Sequence, residues 1–230
     1  SAFLMIINIF KITKAAGCEA YGRFLLLITG FLSVFVAAIF IFRIKNYKRM
    51  LAYSSVENMG IMTIGIALGG VGTVAAFIHL IGHSLIKASF FLTSGNILKT
   101  YKTKEIKDVS NIITVDRKTG VLWLFSFAVI NAFPPSVLFL SEFLIVKTMI
   151  ETHKYLLCGI FLILLTIILY GMSKSVISMT YGRDNEKIEK TELPLMMYIP
   201  QIVLLTVAFT ACILPHDKII YFINTALQGL

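Results

Sequence analysis

Three ionisable side chains recur at intervals of four within one apolar run, Val74–Leu98 (VAAFIHLIGHSLIKASFFLTSGNIL): His79, His83 and Lys87. On a helix each step of four drifts only about 40°, so the three share one stripe roughly 12 Å long. The run itself would extend about 38 Å, enough to cross a bilayer, with Lys87 near its midpoint. A lysine at that depth costs about 2.5–3.5 kcal/mol on insertion scales, so it must face partners or water and not lipid. Imidazole has an unperturbed pKa of about 6.5, the side chain suited to passing protons near neutrality. An in-line His, His, Lys row therefore reads as a proton relay. Two other readings stay open: a haem or metal held by the HxxxH pair, and a polar stripe that only packs helices together.

Two further acids and a lysine join the candidates. In Lys48–Gly60 (KRMLAYSSVENMG), Glu57 lies two turns inside a predicted helix with Ser54, Ser55 and Asn58 nearby. It either exchanges protons and holds the lysine row by charge, or it is a near-interface acid paired with Lys48 or Arg49. In Pro134–Lys147 (PPSVLFLSEFLIVK), Glu142 sits in a helix that opens at a proline break. Broken helices at membrane depth are tolerated where they line a cavity, and a carboxylate there needs a cation or water. Lys174, flanked by Ser173 and Ser175, is near a helix end and reads as a lysine reaching for the headgroups.

The elements that must position these residues are membrane helices. Of 230 residues, 57% are hydrophobic and only 14% charged, well below the roughly 25% charged of a soluble domain. The net charge of +9 does not point to nucleic acid, because the basic residues sit in short connections between apolar runs. About eight helices are predicted, over roughly 1–12, 24–42, 50–69, 74–98, 119–132, 136–152, 155–179 and 195–214. Polar connections are expected at Lys11–Arg23, Lys99–Lys118 and Arg183–Glu192, with an amphipathic tail at the end. Connections after the second, fourth, sixth and eighth helices hold twelve basic residues against six on the other side, which favours the first set as cytoplasmic. The chain opens on Ser1 inside an apolar run with no basic leader, so it reads as an N-terminally truncated part of a longer subunit.

Other chemistries lack their residues. The sequence has no GxGxxG, no GxxxxGK[ST] and no CxxCH, and Cys18, Cys158 and Cys212 are too scattered for a cluster. No cofactor and no redox centre of the chain's own is expected.

The segments KRMLAYSSVENMG, HLIGHSLIKASFFLTSGNI and PPSVLFLSEF, in this order, resemble the antiporter-like membrane subunits. That family includes subunits of complex I, the Mrp antiporters and the membrane-bound hydrogenases. The resemblance covers about 1–180, and NYKRMLAYSSVENMGIMTIGIALGG looks most like the hydrogenase-4 and formate hydrogenlyase branch. It implies a proton- or sodium-translocating subunit of a redox-driven complex of the NADH-quinone oxidoreductase or hydrogenase type. Its partners would be other membrane and peripheral subunits, in a bilayer, with no nucleic acid. Residue by residue, His79, His83 and Lys87 match the central relay, Glu142 the ionisable group of the broken helix, and Lys48 a lysine at the end of the preceding helix. Asn58 departs from the pattern, standing where that branch leads one to expect histidine. Asn8 or Lys11 lies where antiporters commonly place a lysine.

The expected architecture is an all-α, polytopic helix bundle with discontinuous helices near a polar axis, multi-pass in the cytoplasmic (inner) membrane. Residues 1–180 are expected to form the translocating core, and 181–230 a charged loop, a terminal helix and a tail.

Overall fold

A computed structural model describes residues 2–182 and 193–213. Among these residues it is all helix: α1 (Ala2–Ala15), α2 (Glu19–Ile41), α3 (Tyr47–Leu68), α4 (Val71–Tyr101), the single turn α5 (Ile112–Val115), α6 (Arg117–Ile130), α7 (Val137–Glu151), α8 (Tyr155–Tyr181) and α9 (Ile199–Ile213), with short 3-10 turns at Ile106–Asp108 and Leu195–Met197. By length and composition alone, α2, α4 and α8 can cross a membrane. The 22 residues of α3 are also long enough, but its serines, basic residues and Glu57 lower its mean hydropathy. The expected loop Arg183–Glu192 and the tail beyond Ile213 lie outside the described residues.

The helix α4 is the axis of the bundle, packing against α3, α6, α7 and α9. It is antiparallel to α3 across a turn at Gly69 and Gly70, both with positive φ (77° and 51°) that glycine adopts without strain. Arg23 of α2 closes that end, donating through Nη1 to the Ala67 carbonyl at 3.0 Å. A cation on the last carbonyls of a helix suits its dipole. Arg23 also pairs with Glu19 at 2.7 Å. That i, i+4 pair is why the expected polar connection Lys11–Arg23 shrinks to a tight turn at Ala16–Cys18: its residues continue the helices on either side.

The opposite end of the bundle ties the connections after α2 and α4 together. Tyr47 N donates to the Lys104 carbonyl at 3.1 Å and Ile106 N to the Lys45 carbonyl at 2.7 Å. Both basic connections therefore sit on one side, as alternating helices require. Capping sets the starts. Asn46 Oδ1 accepts from Lys48 N and Arg49 N at 2.9 and 3.3 Å, and Ser136 Oγ accepts from Phe139 N at 3.1 Å.

Between α6 and α7 the chain breaks at Asn131–Ser136. Ala132 has φ 54°, and the Pro134–Pro135 bond is cis. With 14 and 15 residues, α6 and α7 are each about 21–23 Å long, short of a bilayer's ~30 Å hydrocarbon core. They are two pieces of a discontinuous path.

Glycines let the helices approach closely. A Cβ on Gly60 would stand 2.7 Å from the Gly30 carbonyl, and one on Gly72 would stand 2.8 Å from the Gly65 carbonyl. Small residues at such crossings drive association where lipid offers no hydrophobic force. Gly60→Val should therefore push α2 from α3 and lower stability by about 1–3 kcal/mol, measured by thermal unfolding in detergent. Gly95 has open space around it, and Gly95→Ala should leave the unfolding temperature unchanged or raised.

Candidate functional site

Antiparallel pairing brings the polar positions of α3 onto the stripe of α4. Lys87, 7% exposed, donates through its ammonium to the Leu51 carbonyl and to Ser54 Oγ. Its other side faces the Phe91 ring, 5.6 Å from Nζ to the centroid. Among the described residues no carboxylate lies within ion-pair distance of it; the ion pairs there are Arg23–Glu19 and Lys147–Glu151. The lysine is held by neutral oxygens.

The row then divides. The His83 and His79 rings are near-parallel at 11° with centroids 6.4 Å apart, and no hydrogen bond joins them. Buried His83 Nδ1 has no partner in the structure. His79 instead bonds sideways: Nε2 lies 2.8 Å from Asn58 Oδ1 on α3, and Nδ1 lies 2.8 Å from Ser141 Oγ on α7. Both nitrogens of His79 are thus engaged by neighbouring helices in this arrangement.

Glu57 is buried, and Glu142 of α7 is half-buried beside it. Together with Asn131 at the α6–α7 break and Thr166 of α8 they line a cavity of about 140 Å³, room for several waters. Glu57 thus lines the cavity from α3, the helix whose Leu51 carbonyl and Ser54 hydroxyl hold Lys87. Glu57 pairs with neither Lys48 nor Arg49. The reason is depth: Glu57 is nine residues along α3 from Lys48, about 13 Å.

Lys48 stands apart in the first turn of α3, its backbone amide capped by Asn46, with no hydrogen bond or ion pair to the row. Lys174 is exposed on α8. A larger cleft, about 1010 Å³, lies between the start of α6 and the 3-10 turn before α9. It contains Asp116, Arg117 and Lys118 but none of the row, so size alone does not locate the chemistry.

Four groups were not picked out from the sequence: Asn131, Ser141, the Leu51 carbonyl, and Asn58 as a partner of His79. Ser141 immediately precedes Glu142 in the helix, a polar pair in an apolar run, and that was its one local signal. The other three are recognisable only once α3, α4 and the α6–α7 break are assembled.

Comparison with known proteins gives the arrangement a context. Residues 1–168 match the family described as NADH:quinone oxidoreductase/Mrp antiporter, TM. A hydrogenase-4 component F homolog of Methylacidiphilum infernorum is 29% identical over 194 residues, 82% of this chain and 40% of that protein. An NAD(P)H-quinone oxidoreductase chain 4 of Prochlorococcus marinus is 29% identical over 181 residues, 74% of this chain and 34% of its own length. The chain thus spans 40% or less of these two curated relatives. Among solved structures, a chain of the Mrp complex from Dietzia sp. superposes with a TM-score of 0.80 at 15% identity, covering 94% of this chain and 49% of that one. A chain of an archaeal membrane-bound sulfane sulfur reductase gives a TM-score of 0.75 at 18% identity, covering 88% and 41%. At these identities the two structures speak for the fold, and the match over residues 1–168 for the family. This chain belongs to the NADH:quinone oxidoreductase/Mrp antiporter transmembrane family.

Proposed function

We propose that this chain carries protons within the membrane arm of a larger redox-driven complex, using the Glu57–Glu142 cavity together with the row of Lys87, His83 and His79. Its relatives are named for a hydrogenase component and an oxidoreductase chain, and its fold neighbours belong to an Mrp complex and an archaeal respiratory membrane complex. The redox chemistry would then reside in partner subunits in the same bilayer.

One observation carries the reading: a lysine buried at mid-helix with only neutral oxygens as ligands. A lysine in a direct buried ion pair is locked in its charged form, because losing the proton strands the carboxylate. A lysine on a carbonyl and a hydroxyl can release its proton without leaving a bare charge at its contacts. Glu57 acts on it through space, so charge at the cavity biases the lysine without fixing it. The row favours protons over sodium, since every member exchanges a proton and a lysine head repels a metal cation.

Lys87→Met should lower proton uptake by sealed vesicles of the assembled complex at least tenfold, in sodium-free buffer, with assembly retained. Lys87→Arg is the sharper test. Guanidinium keeps the charge but does not give up its proton, so a relay stays blocked in this variant while a purely structural anchor is restored. Normal uptake with arginine would overturn the relay.

Glu57 and Glu142 should behave as one unit. In a double-mutant cycle, Glu57→Gln and Glu142→Gln are expected to be non-additive in the logarithm of the uptake rate, with a coupling of about 0.5–3 kcal/mol. Additive defects would mean that the cavity does not join them.

A further inference from the structure

The contacts of His79 have a logic of their own. The amide of Asn58 is committed by its nitrogen, since Nδ2 donates to the Ser54 carbonyl at 2.6 Å. That turns Oδ1, which can only accept, toward the imidazole 2.8 Å away. His79 Nε2 must therefore carry a proton in every state. On the other side, Ser141 has one hydroxyl proton and two acceptors, His79 Nδ1 and the Leu138 carbonyl, each at 2.8 Å. Ser141 and Asn58 are both buried, at 0% and 1% exposure, so neither can turn to bulk water instead.

We propose that Asn58, His79 and Ser141 form a proton-responsive hydroxyl switch, in which Asn58 fixes the tautomer and Ser141 reports the charge of the ring. While His79 is neutral, the Ser141 hydroxyl donates to Nδ1. When Nδ1 takes up a proton from the transported pool, one N–H bond forms and the ring gains one positive charge. Ser141 Oγ then accepts from Nδ1–H, and its own proton rotates to the Leu138 carbonyl. No bond to serine breaks. Every polar atom of the cluster is paired in both states, which matters where an unpaired group costs about 1–3 kcal/mol. The rotation occurs one residue from Glu142, on the piece of broken helix that lines the cavity. Ser141 is a positioning residue: it orders the ring without being consumed.

The ionisable groups around the switch come from several helices. His83 stacks on the ring from α4 itself. Glu57 adjoins Asn58 on α3 and Glu142 adjoins Ser141 on α7. Lys87 lies two turns on along α4, and α1, which meets α4 through Phe3 and Phe77, carries Lys11 with a buried Nζ lacking a partner.

The switch deepens the proposed relay and rests on it for its purpose, but its tautomer can be read without transport. Solid-state ¹⁵N NMR of the histidine-labelled protein in lipid, with His79 assigned by the signal lost in His79→Gln, should give a neutral ring protonated at Nε2. A neutral ring protonated at Nδ1 overturns the proposal. In the assembled complex, Ser141→Ala should slow proton uptake about tenfold and alter its pH profile, whereas Ser141→Thr should stay within about twofold with the profile unmoved. An alanine variant with wild-type rate and profile overturns the switch. So does a defect that threonine does not rescue, or one that alanine shows only as lost assembly. Should the Nε2–H tautomer be found while Lys87→Met leaves uptake intact, the relay falls and the clamp on His79 stands.

Discussion

How closely α3 lies against α4 decides everything polar in the interior of this bundle. Gly65 and Gly72 let the two backbones touch near their shared turn, and only at that separation can the Lys87 side chain reach a carbonyl oxygen of its neighbour. That carbonyl already belongs to a helix, so the ammonium borrows a lone pair the helix does not need. The arrangement satisfies a buried cation without a buried anion in contact. It avoids the large desolvation of a second charge while leaving the proton free to go.

The same approach arranges the other groups as consequences. With Lys87 resting on Leu51 and Ser54, the antiparallel register puts Asn58 beside His79, and Glu57 on the side facing α7 and α8. The α6–α7 break then supplies what continuous helices could not. A helix interrupted at Asn131–Ser136 opens a cavity at membrane depth and begins a new helix whose second turn carries Ser141 and Glu142. Irregular backbone survives there because Asn131 bonds back to the Phe127 carbonyl at 2.8 Å and Ser136 caps the next helix.

The row of three that stands out in the sequence is not a continuous wire in space. Lys87 and His79 both bond across to neighbouring helices, and His83 stands between them with an open nitrogen. A helical stripe fixes which residues share a face, but four-residue spacing leaves about 6 Å between successive Cα atoms, and the two stacked rings share no hydrogen bond. Connection along the stripe therefore depends on water or on movement, and the firm contacts run between helices.

Much of this is nonetheless legible in the sequence. Apolar runs of bilayer length, basic connections and a double proline are local features, so the all-helical membrane fold and the interrupted α6–α7 path followed from residue type alone. Intramembrane charge is costly enough to mark His79, His83, Lys87, Glu57 and Glu142 as candidates wherever they sit. Their partners could not be read that way. Leu51 contributes a backbone atom, which has no signature in sequence. Asn58 and His79 are 21 residues apart, and Ser141 is 62 from His79. Lys48 lies at the start of α3, one turn before the Leu51 carbonyl that holds Lys87. Local chemistry and periodicity determined which groups are buried in the membrane. Which of them touch was decided by backbone approach, helix register and one broken helix, because hydrogen bonds act over less than 3.5 Å and only the packed bundle brings distant residues that close.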